Sequence, residues 1–317
     1  MRVVVIGATG HVGSYLIPRL VDRGDEVVAL SRGIREPYRS DPRWQRARRI
    51  AIDRDALDAA GTFGALVAEL KPDVVIDLIC FTAASAQQLV EALRGTAALL
   101  ITCGSIWIHG PLTEVPGTED APRNTWGAYG LGKAAIEDML LAESRSAGGL
   151  PCIVLHPGHI SGPGWRVINP AANLNLDVWA RLASGREVVL PNLGLETLHH
   201  VHADDVAQAF ERAIDHAADA AGSAFSIVSP RALTLRGYAQ AVAGWSGREA
   251  SLRFVPFEEF RAVVGDQNAD ITWDHIARSP AFSIEKAQRM LGYAPRYTSL
   301  EAVAEAVRWL HDDGQLN

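Results

Sequence analysis

The sequence predicts an α/β fold in which a doubly wound parallel sheet is followed by a smaller, mixed C-terminal region. Three observations support this prediction. Short β-branched runs alternate with longer helical runs through the first half of the chain, the short runs are apolar almost throughout, and the alternation ends near residue 160. Strands that are apolar on both sides are typical of a sheet covered by helices on each face. With 48% hydrophobic residues among 317, the chain can bury such a core.

The first half contains a regular series of predicted strands and helices. The strands are predicted at residues 2–6, 26–30, 49–52, 73–79, 98–102 and 152–155. The helices between them are predicted at 11–23, 56–70, 84–93 and 128–146. Short strands that alternate with helices of ten or more residues are the pattern of βαβ units. Right-handed crossovers then place helices on both faces of a parallel sheet.

Charge and composition exclude several classes of function. The net charge is −7, whereas nucleic-acid-binding proteins usually present a basic surface. No apolar run approaches the roughly 18 residues of a membrane span. Cys80, Cys103 and Cys152 have no CxxC spacing, which predicts reduced thiols in a cytoplasmic protein. The histidines match no compact zinc pattern, so we expect no metal, and we expect a small-molecule substrate instead of a nucleic-acid or membrane partner.

A glycine loop follows the first strand. Residues 7–13 read GATGHVG, with the spacing GxxGxxG, and they open a helix. Gly7 permits a tight turn, Gly10 lets the backbone approach a pyrophosphate, and Gly13 lets the helix pack against the strand. The helix N-terminus presents free N–H groups to the anion. The loop therefore predicts a dinucleotide cofactor. The residues predicted to hold its phosphates are Gly7, Thr9, Gly10, His11, Val12 and Gly13.

The end of the second strand indicates which dinucleotide binds. Sites for NAD usually have Asp or Glu here, on the 2′-hydroxyl of the ribose. This chain has Ser31 followed by Arg32, so a 2′-phosphate meets no carboxylate and Arg32 can pair with it. NADP is therefore favoured over NAD. Arg32 has two alternative roles, stacking on the adenine or pointing to solvent, and Arg35 is a second candidate for the phosphate.

The end of the third strand adds residues to the predicted cofactor site. Asp53 stands where a carboxylate can accept a hydrogen bond from the adenine amine, and we place Arg54 beside it in the site. The alternative role for Asp53 is to cap the next helix, and Asp55 suits that role better. With this site, residues 1–160 plus 197–230 are predicted to form an NAD(P)-binding, Rossmann-type domain. Residues 161–196 plus 231–317 are predicted to form a substrate-binding lid.

The lid prediction follows from a change of pattern. Residues 161–196 are rich in Gly, Pro and Asn, after which a helix at 203–217 and a strand at 224–228 resume the alternation. The remaining helices are predicted at 234–243, 257–264, 284–291 and 299–310. This part lacks regular βα units, so we expect it to close over the carboxyl ends of the sheet.

A tyrosine and a lysine predict proton-transfer chemistry. Tyr129 and Lys133 are four residues apart at the start of a predicted helix, which puts both side chains on one face. A tyrosine has a pKa near 10, and an ammonium group one turn away is expected to lower that pKa toward neutrality. Ser105 follows the fifth strand, and its hydroxyl can hold the oxygen of a substrate.

With these motifs, the chain resembles an extended or atypical short-chain dehydrogenase/reductase of the NAD-dependent epimerase/dehydratase superfamily. The resemblance also rests on segments 155–164, 200–207 and 283–293, and it covers nearly the whole chain. It implies that Ser105, Tyr129 and Lys133 are the catalytic residues, with Lys133 also binding the nicotinamide ribose. It further implies a homodimer formed by the Tyr129 helix and the helix at 84–93.

The resemblance implies further contacts for the cofactor and the substrate. Leu78, Ile79 and Cys80 would line the cofactor, and Pro157 would lie beside the nicotinamide amide. His159 would approach the substrate. Phe81 and Trp107 are candidates for the walls of the substrate pocket.

The chain departs from the family pattern after its sixth strand. His156 and Ser161 replace the usual Arg and Tyr, and no Arg lies about ten residues before Ser283, where sugar-nucleotide epimerases hold the diphosphate. These departures disfavour a UDP-sugar. We predict an NAD(P)-dependent, epimerase/dehydratase-like enzyme that performs hydride chemistry at a hydroxyl or keto carbon of a sugar-like or polyol substrate. The alternatives are an NADPH-dependent carbonyl reductase and a non-catalytic protein that senses or binds a dinucleotide.

Overall fold

A computed structural model describes residues 1–316 and contains a seven-stranded parallel sheet flanked by helices. Its strands are β1 Arg2–Ile6, β2 Glu26–Ser31, β3 Arg48–Ala51, β4 Val74–Asp77, β5 Leu99–Cys103, β6 Cys152–Pro157, β7 His159–Ser161, β8 Val188–Pro191, β9 Thr197–Leu198, β10 His200–His202, β11 Ser223–Ile227, β12 Leu233–Thr234 and β13 Leu252–Val255. Its helices are α1 His11–Asp22, α2 Arg54–Ala59, α3 Phe63–Glu69, α4 Ala83–Leu93, α5 Gly127–Arg145, α6 Asp177–Ser184, α7 Ala203–Asp215, α8 Ala217–Ala220, α9 Leu235–Trp245, α10 Phe257–Val264, α11 Asp266–Ile276, α12 Glu285–Leu291 and α13 Ser299–Asp312.

The large sheet is buried on both faces. Along β1, Val3 and Val5 face a core that includes α1 and α7, while Val4 and Ile6 face a second core that includes α3, α4 and α5. Because side chains alternate along a strand, a strand buried on both faces must be apolar at successive positions. The apolar runs in the sequence therefore have a direct structural cause, and the predicted doubly wound fold is confirmed.

The order of the strands creates a binding crevice. The sheet runs β3-β2-β1-β4-β5-β6-β11, so the chain reverses direction across the sheet between β1 and β4. At such a switch point the loops leave the carboxyl ends of adjacent strands toward opposite faces, and ligands bind in the gap. The glycine loop after β1 and the loop after β4 meet at this place.

A third apolar core lies outside the large sheet. It contains side chains from segments 167–190, 235–276 and 303–310, and Leu198 also belongs to it. Three two-stranded sheets, β7–β10, β8–β13 and β9–β12, accompany this core. The division into domains at the predicted boundaries remains a prediction, and Asn317 of the predicted lid lies outside the described residues.

The helices differ from the predictions in two places. The predicted helix 56–70 is two helices, because Gly61 has a φ of +68° and separates α2 from α3. Helices α6, α8 and α11 were not predicted, and α11 carries a residue that lines the cavity described below. Within residues 1–316, no helix is both long and apolar enough to cross a bilayer.

Candidate cofactor and active site

The glycine loop has the geometry that a pyrophosphate requires. Gly7 has a φ of +83°, and a Cβ there would lie 2.7 Å from Cγ2 of Ile79. At Gly13, a Cβ would lie 2.0 Å from the carbonyl oxygen of Ala8. Helix α1 begins at His11 without a side-chain cap from Gly10, so its first N–H groups remain available to an anion. The glycine loop and the N-terminus of α1 therefore fit the pyrophosphate of a dinucleotide.

A pocket of about 270 Å³ beside the glycine loop suits an adenosine. Its lining includes Thr9, Ser31, Arg32, Asp53 and Arg54. The Asp53 side chain accepts a hydrogen bond from the backbone N–H of Ala56 at 3.2 Å, so Asp53 caps α2. The expectation that Asp55 is the better cap is therefore wrong, because Asp55 already lies in the first turn of the helix. The capping bond leaves Asp53 at the pocket wall, where its predicted adenine contact remains a prediction.

The guanidinium of Arg54 is bound by other side chains of the protein. It donates two hydrogen bonds to Asp77, of 2.8 and 2.9 Å, and another to the hydroxyl of Ser85. Both Arg54 and Asp77 are buried. Burial opposes the charge of Arg54, but the carboxylate of Asp77 outweighs it and holds the Arg54 pKa above its ordinary value. Arg54 reaches the pocket wall, but its charge is neutralised inside the protein.

A larger cavity of about 700 Å³ joins the glycine loop to the predicted catalytic residues. The predicted residues that line it are Gly7, Gly10, His11, Val12, Gly13, Leu78, Ile79, Phe81, Ser105, Trp107, Tyr129, Lys133, Pro157 and His159. Cys80 is not among the lining residues of either pocket, and its carbonyl oxygen instead accepts a hydrogen bond from Lys133. One continuous space therefore connects a phosphate-binding loop with a Ser-Tyr-Lys group.

Tyr129 stands at the wall of this cavity with a protonated hydroxyl. The residue is 46% exposed because it opens into the cavity, which is itself walled by protein. The pKa of Tyr129 is raised to about 12, because burial and, to a smaller extent, Cys103 raise it while hydrogen bonding with Ser105 opposes the rise. Ser105 is buried, and its hydroxyl accepts a hydrogen bond from the N–H of Trp107 at 3.2 Å. At neutral pH the phenol therefore carries its proton.

Lys133 does not lower the pKa of Tyr129 in this structure, so that prediction is wrong. Its Nζ lies 5.9 Å from the centre of the Tyr129 ring. The ammonium donates hydrogen bonds to the carbonyl oxygens of Cys80 at 2.8 Å and Cys103 at 2.7 Å. Lys133 thus joins the ends of β4 and β5, and its charge is directed at backbone oxygens instead of at the phenol.

The chain matches a known family over most of its length. The model of the NAD dependent epimerase/dehydratase family matches residues 3–227. The chain belongs to this family. It is an NAD(P)-dependent enzyme of the short-chain dehydrogenase/reductase type, as the resemblance predicted, and its cofactor is a nicotinamide dinucleotide.

Named relatives of this epimerase-family chain include epimerases and a reductase. The UDP-glucose 4-epimerase of Mycolicibacterium smegmatis is 27% identical over 336 residues, which cover 99% of this chain and all of the relative. The 2′-dehydrokanamycin reductase of Streptomyces kanamyceticus is 30% identical over 210 residues, covering 66% of this chain and 56% of the reductase. The crystal structure of a UDP-glucose 4-epimerase from Thermotoga maritima with UDP-glucose shares the fold, with a TM-score of 0.73, 17% identity and 99% of each chain covered.

His156, which replaces the arginine of the family pattern, supports the loop that carries Ser105. Its Nδ1 lies 2.9 Å from the carbonyl oxygen of Ser105. Its Nε2 lies 2.5 Å from a carboxylate oxygen of Glu137. Burial works against ionisation of Glu137, but His156 and Arg123 hold its pKa below the ordinary value. A chain of polar contacts thus runs from Arg123 through Glu137 and His156 to the backbone of Ser105.

Aromatic residues form the far wall of the cavity in this family member. The Tyr129 ring lies between Phe81 at 6.5 Å and Trp107 at 5.8 Å, measured between ring centres. Beyond Trp107 stand His159 at 6.4 Å and His275 at 5.3 Å. The sequence analysis missed His275, although the buried spacing of Ala269, Thr272 and Ile276 around it is helical. No metal-binding group of three or more His, Cys, Asp or Glu side chains occurs in the part of the chain that the structure describes.

A loop of the predicted lid touches the glycine loop. His11 Nε2 donates to the carbonyl oxygen of Pro163 at 3.0 Å, and the ring of Trp165 stacks on the His11 ring with centres 5.5 Å apart. Burial lowers the pKa of His11 to about 4, so its ring is neutral. The side chain of His11 therefore contacts the lid loop beside the N-terminus of α1.

Proposed function

We propose that this enzyme transfers a hydride between a nicotinamide dinucleotide and a hydroxyl or keto carbon of a small-molecule substrate. The observation that carries the proposal is the single cavity that joins the glycine loop to Ser105, Tyr129 and Lys133. The glycine loop and the N-terminus of α1 would hold the pyrophosphate. The smaller pocket, with Ser31, Arg32 and Asp53, would hold the adenosine end of the cofactor.

Each catalytic side chain has a proposed task. When bound, the cofactor supplies or accepts the hydride. The Tyr129 hydroxyl gives its proton to the substrate oxygen in the direction of reduction and takes it back in the direction of oxidation. The Ser105 hydroxyl orients the same oxygen and stabilises its developing charge. Lys133 keeps the loops after β4 and β5 in place through its two carbonyl contacts and remains the proposed partner of the nicotinamide ribose.

The net reaction depends on whether the cofactor stays bound. Relatives named as UDP-glucose 4-epimerases and a dehydrokanamycin reductase support a sugar-like or polyol substrate. A retained and recycled cofactor would give epimerisation or dehydration, whereas an exchanging cofactor would give a carbonyl reductase. The exposed Arg32 at the wall of the smaller pocket favours NADP and thereby the reductase.

Mass spectrometry of the supernatant from denatured protein tests these alternatives. We expect no stoichiometric NAD(H) to be released, and we expect isothermal titration calorimetry of the purified protein to show tighter binding of NADPH than of NADH. Stoichiometric NAD(H) would contradict the role of Arg32 and indicate a recycling enzyme. A protein that neither retains nor binds a nicotinamide dinucleotide would contradict the proposed function.

Replacing Arg32 is expected to weaken NADPH binding selectively. A charge-assisted hydrogen bond to a phosphate contributes about 1.5–3 kcal/mol, so Arg32→Ser should raise the Kd for NADPH by about 10- to 100-fold. The Kd for NADH should stay within about twofold, because NADH has no 2′-phosphate. Arg308→Ser, on the exposed surface of α13, is the control and should change neither value. An equal loss of affinity for both cofactors would contradict the assignment.

We further propose a cytoplasmic homodimer. The three cysteines are free thiols and are buried, which supports a reducing compartment. Helix α5 leaves Leu131 54% exposed on its surface, and α4 packs beside it, as expected for a face that a second copy covers.

A further inference from the structure

We infer that the substrate is an uncharged molecule with an apolar body and a hydrogen-bond donor, and that it carries no nucleotide diphosphate. The inference rests on the proposed function, because it concerns the molecule that meets Tyr129. The cavity is lined by Phe81, Trp107, Ile168 and Leu174 among others, and Phe81 and Trp107 lie beside Tyr129. Such a wall favours an apolar body over a sugar nucleotide.

The arginine nearest to this wall is shielded from the cavity. Arg278 is only 3% exposed, and its guanidinium lies 4.0 Å from the ring centres of both Trp107 and Trp126. It also donates a hydrogen bond to the carbonyl oxygen of Trp126 at 3.1 Å. Burial lowers the pKa of Arg278, with Asp274 opposing the effect. Because two indole rings enclose its charge, Arg278 stabilises the wall and is closed to a diphosphate.

The charged residues that do line the cavity are engaged elsewhere. Among the lining residues, charge is carried by Arg35, Lys133 and Arg166. The ammonium of Lys133 is held by two backbone carbonyls. Arg35 packs over the ring of Tyr38 at 4.6 Å, and Arg166 donates a hydrogen bond to the side chain of Gln315 at 3.1 Å. Both arginines therefore have partners within the protein.

The histidines of the wall offer acceptor atoms to a ligand. His159 and His275 have ring centres 4.9 Å apart, and burial lowers the pKa of each. Their Nδ1 atoms contact the carbonyl oxygens of His199 at 3.3 Å and Ile271 at 2.7 Å. Since a carbonyl oxygen only accepts, each Nδ1 must carry the proton, and each Nε2 is left with a lone pair.

The lone pairs of the two histidines favour a neutral ligand over an anion. Lone pairs repel the oxygens of a phosphate or carboxylate, and they attract an O–H donor. A buried acceptor without a partner also costs free energy until a ligand satisfies it. In the described residues, Nε2 of His159 is buried and has no hydrogen-bond partner. His275 is therefore assigned, with His159, as a residue that selects a neutral substrate with a hydroxyl group.

Isothermal titration calorimetry in saturating NADP+ tests the inference without turnover. The probes are 4-(4-hydroxyphenyl)-2-butanone, the same ketone without its phenol, UDP and UDP-glucose. We expect both ketones to bind, the phenol about tenfold more tightly, which is the contribution of one hydrogen bond. Neither UDP nor UDP-glucose should bind at millimolar concentration. Binding of UDP, or failure of both ketones to bind, overturns the inference.

Variants of the cavity wall test which residue causes the preference for the phenol. In His275→Phe the preference for the phenol should fall well below tenfold, because one of the two acceptors is lost and the ring is kept. The surface variant His311→Phe should retain the full preference, and unchanged NADP+ affinity shows that each variant is folded. A preference that stays at about tenfold in His275→Phe overturns the assignment of this residue.

The two proposals fail in different ways. NADPH oxidation at 340 nm that depends on Tyr129, together with binding of UDP, would leave the proposed function intact and overturn the substrate class. Ketone binding without NADPH-dependent reduction would support the substrate class and count against the proposed function.

Discussion

Tyr129→Phe is expected to lower kcat by about 10²- to 10⁴-fold, which is the contribution of a positioned general acid or base. Phenylalanine keeps the ring between Phe81 and Trp107 and removes only the hydroxyl that exchanges a proton with the substrate. The Kd for the cofactor should therefore stay within about twofold of the wild-type value. Steady-state kinetics with NADPH oxidation, together with calorimetry of cofactor binding, measure the two effects separately.

The pH dependence of the same reaction follows from the raised pKa of Tyr129. With a pKa of about 12, the phenol is protonated at neutral pH and is ready to act as an acid. The rate of reduction should be level between about pH 6 and pH 9, whereas the rate of oxidation needs the phenolate and should rise by about tenfold for each pH unit.

Two results would contradict this account of Tyr129. One is a Tyr129→Phe enzyme that keeps more than about a tenth of the wild-type kcat, and the other is a reduction rate that falls with an inflection near pH 7. Tyr297→Phe is the matched control, because that tyrosine stacks on His202 at 3.9 Å, outside the cavity lining. It should leave kcat unchanged.

The positions of the strands could be predicted from the sequence because burial of a strand constrains residues that are neighbours in the chain. Apart from the edge strand β3, which reads RRIA and is mostly exposed, the strands of the large sheet are largely apolar on both faces, so their positions are visible in a few consecutive residues. The same holds for Gly7 and Gly13, where neighbouring atoms leave no room for a Cβ. Helix 56–70 was predicted as one element because the helical spacing of its apolar residues does not reveal that Gly61 adopts a left-handed backbone conformation.

The electrostatic state of the site was less predictable because it depends on contacts across the fold. The spacing of Tyr129 and Lys133 correctly put both residues in α5. It did not reveal that the ammonium group reaches the carbonyls of Cys80 and Cys103, which are 53 and 30 residues away in sequence. Similarly, His275 lies on a helix that the sequence analysis left unassigned, and its approach to Trp107 is a tertiary contact.

The pairing of Arg54 with Asp77 leads to the largest expected loss of stability. Asp77→Asn should lower the free energy of unfolding by up to about 3–5 kcal/mol, because it removes the nearer of the two carboxylates that pair with the buried guanidinium of Arg54 and leaves only Asp58, at 3.3 Å. Urea denaturation at neutral pH measures the change. The control is Asp138→Asn, since Asp138 is largely exposed where it pairs with Arg123. That variant should cost less than about 1 kcal/mol.

The double variant Arg54→Met, Asp77→Leu separates the charge effect from packing. Replacing a buried ion pair with apolar side chains is often neutral, so the double variant should be more stable than Asp77→Asn. A double variant at least as unstable as Asp77→Asn would contradict the explanation.

Asp77 also accepts a hydrogen bond from the N–H of Ile79 at 3.1 Å, and Ile79 packs against Gly7 of the glycine loop. The double variant, whose leucine cannot accept this hydrogen bond, should therefore bind NADPH more weakly than the wild type, because the loop that lines the cofactor site loses its anchor.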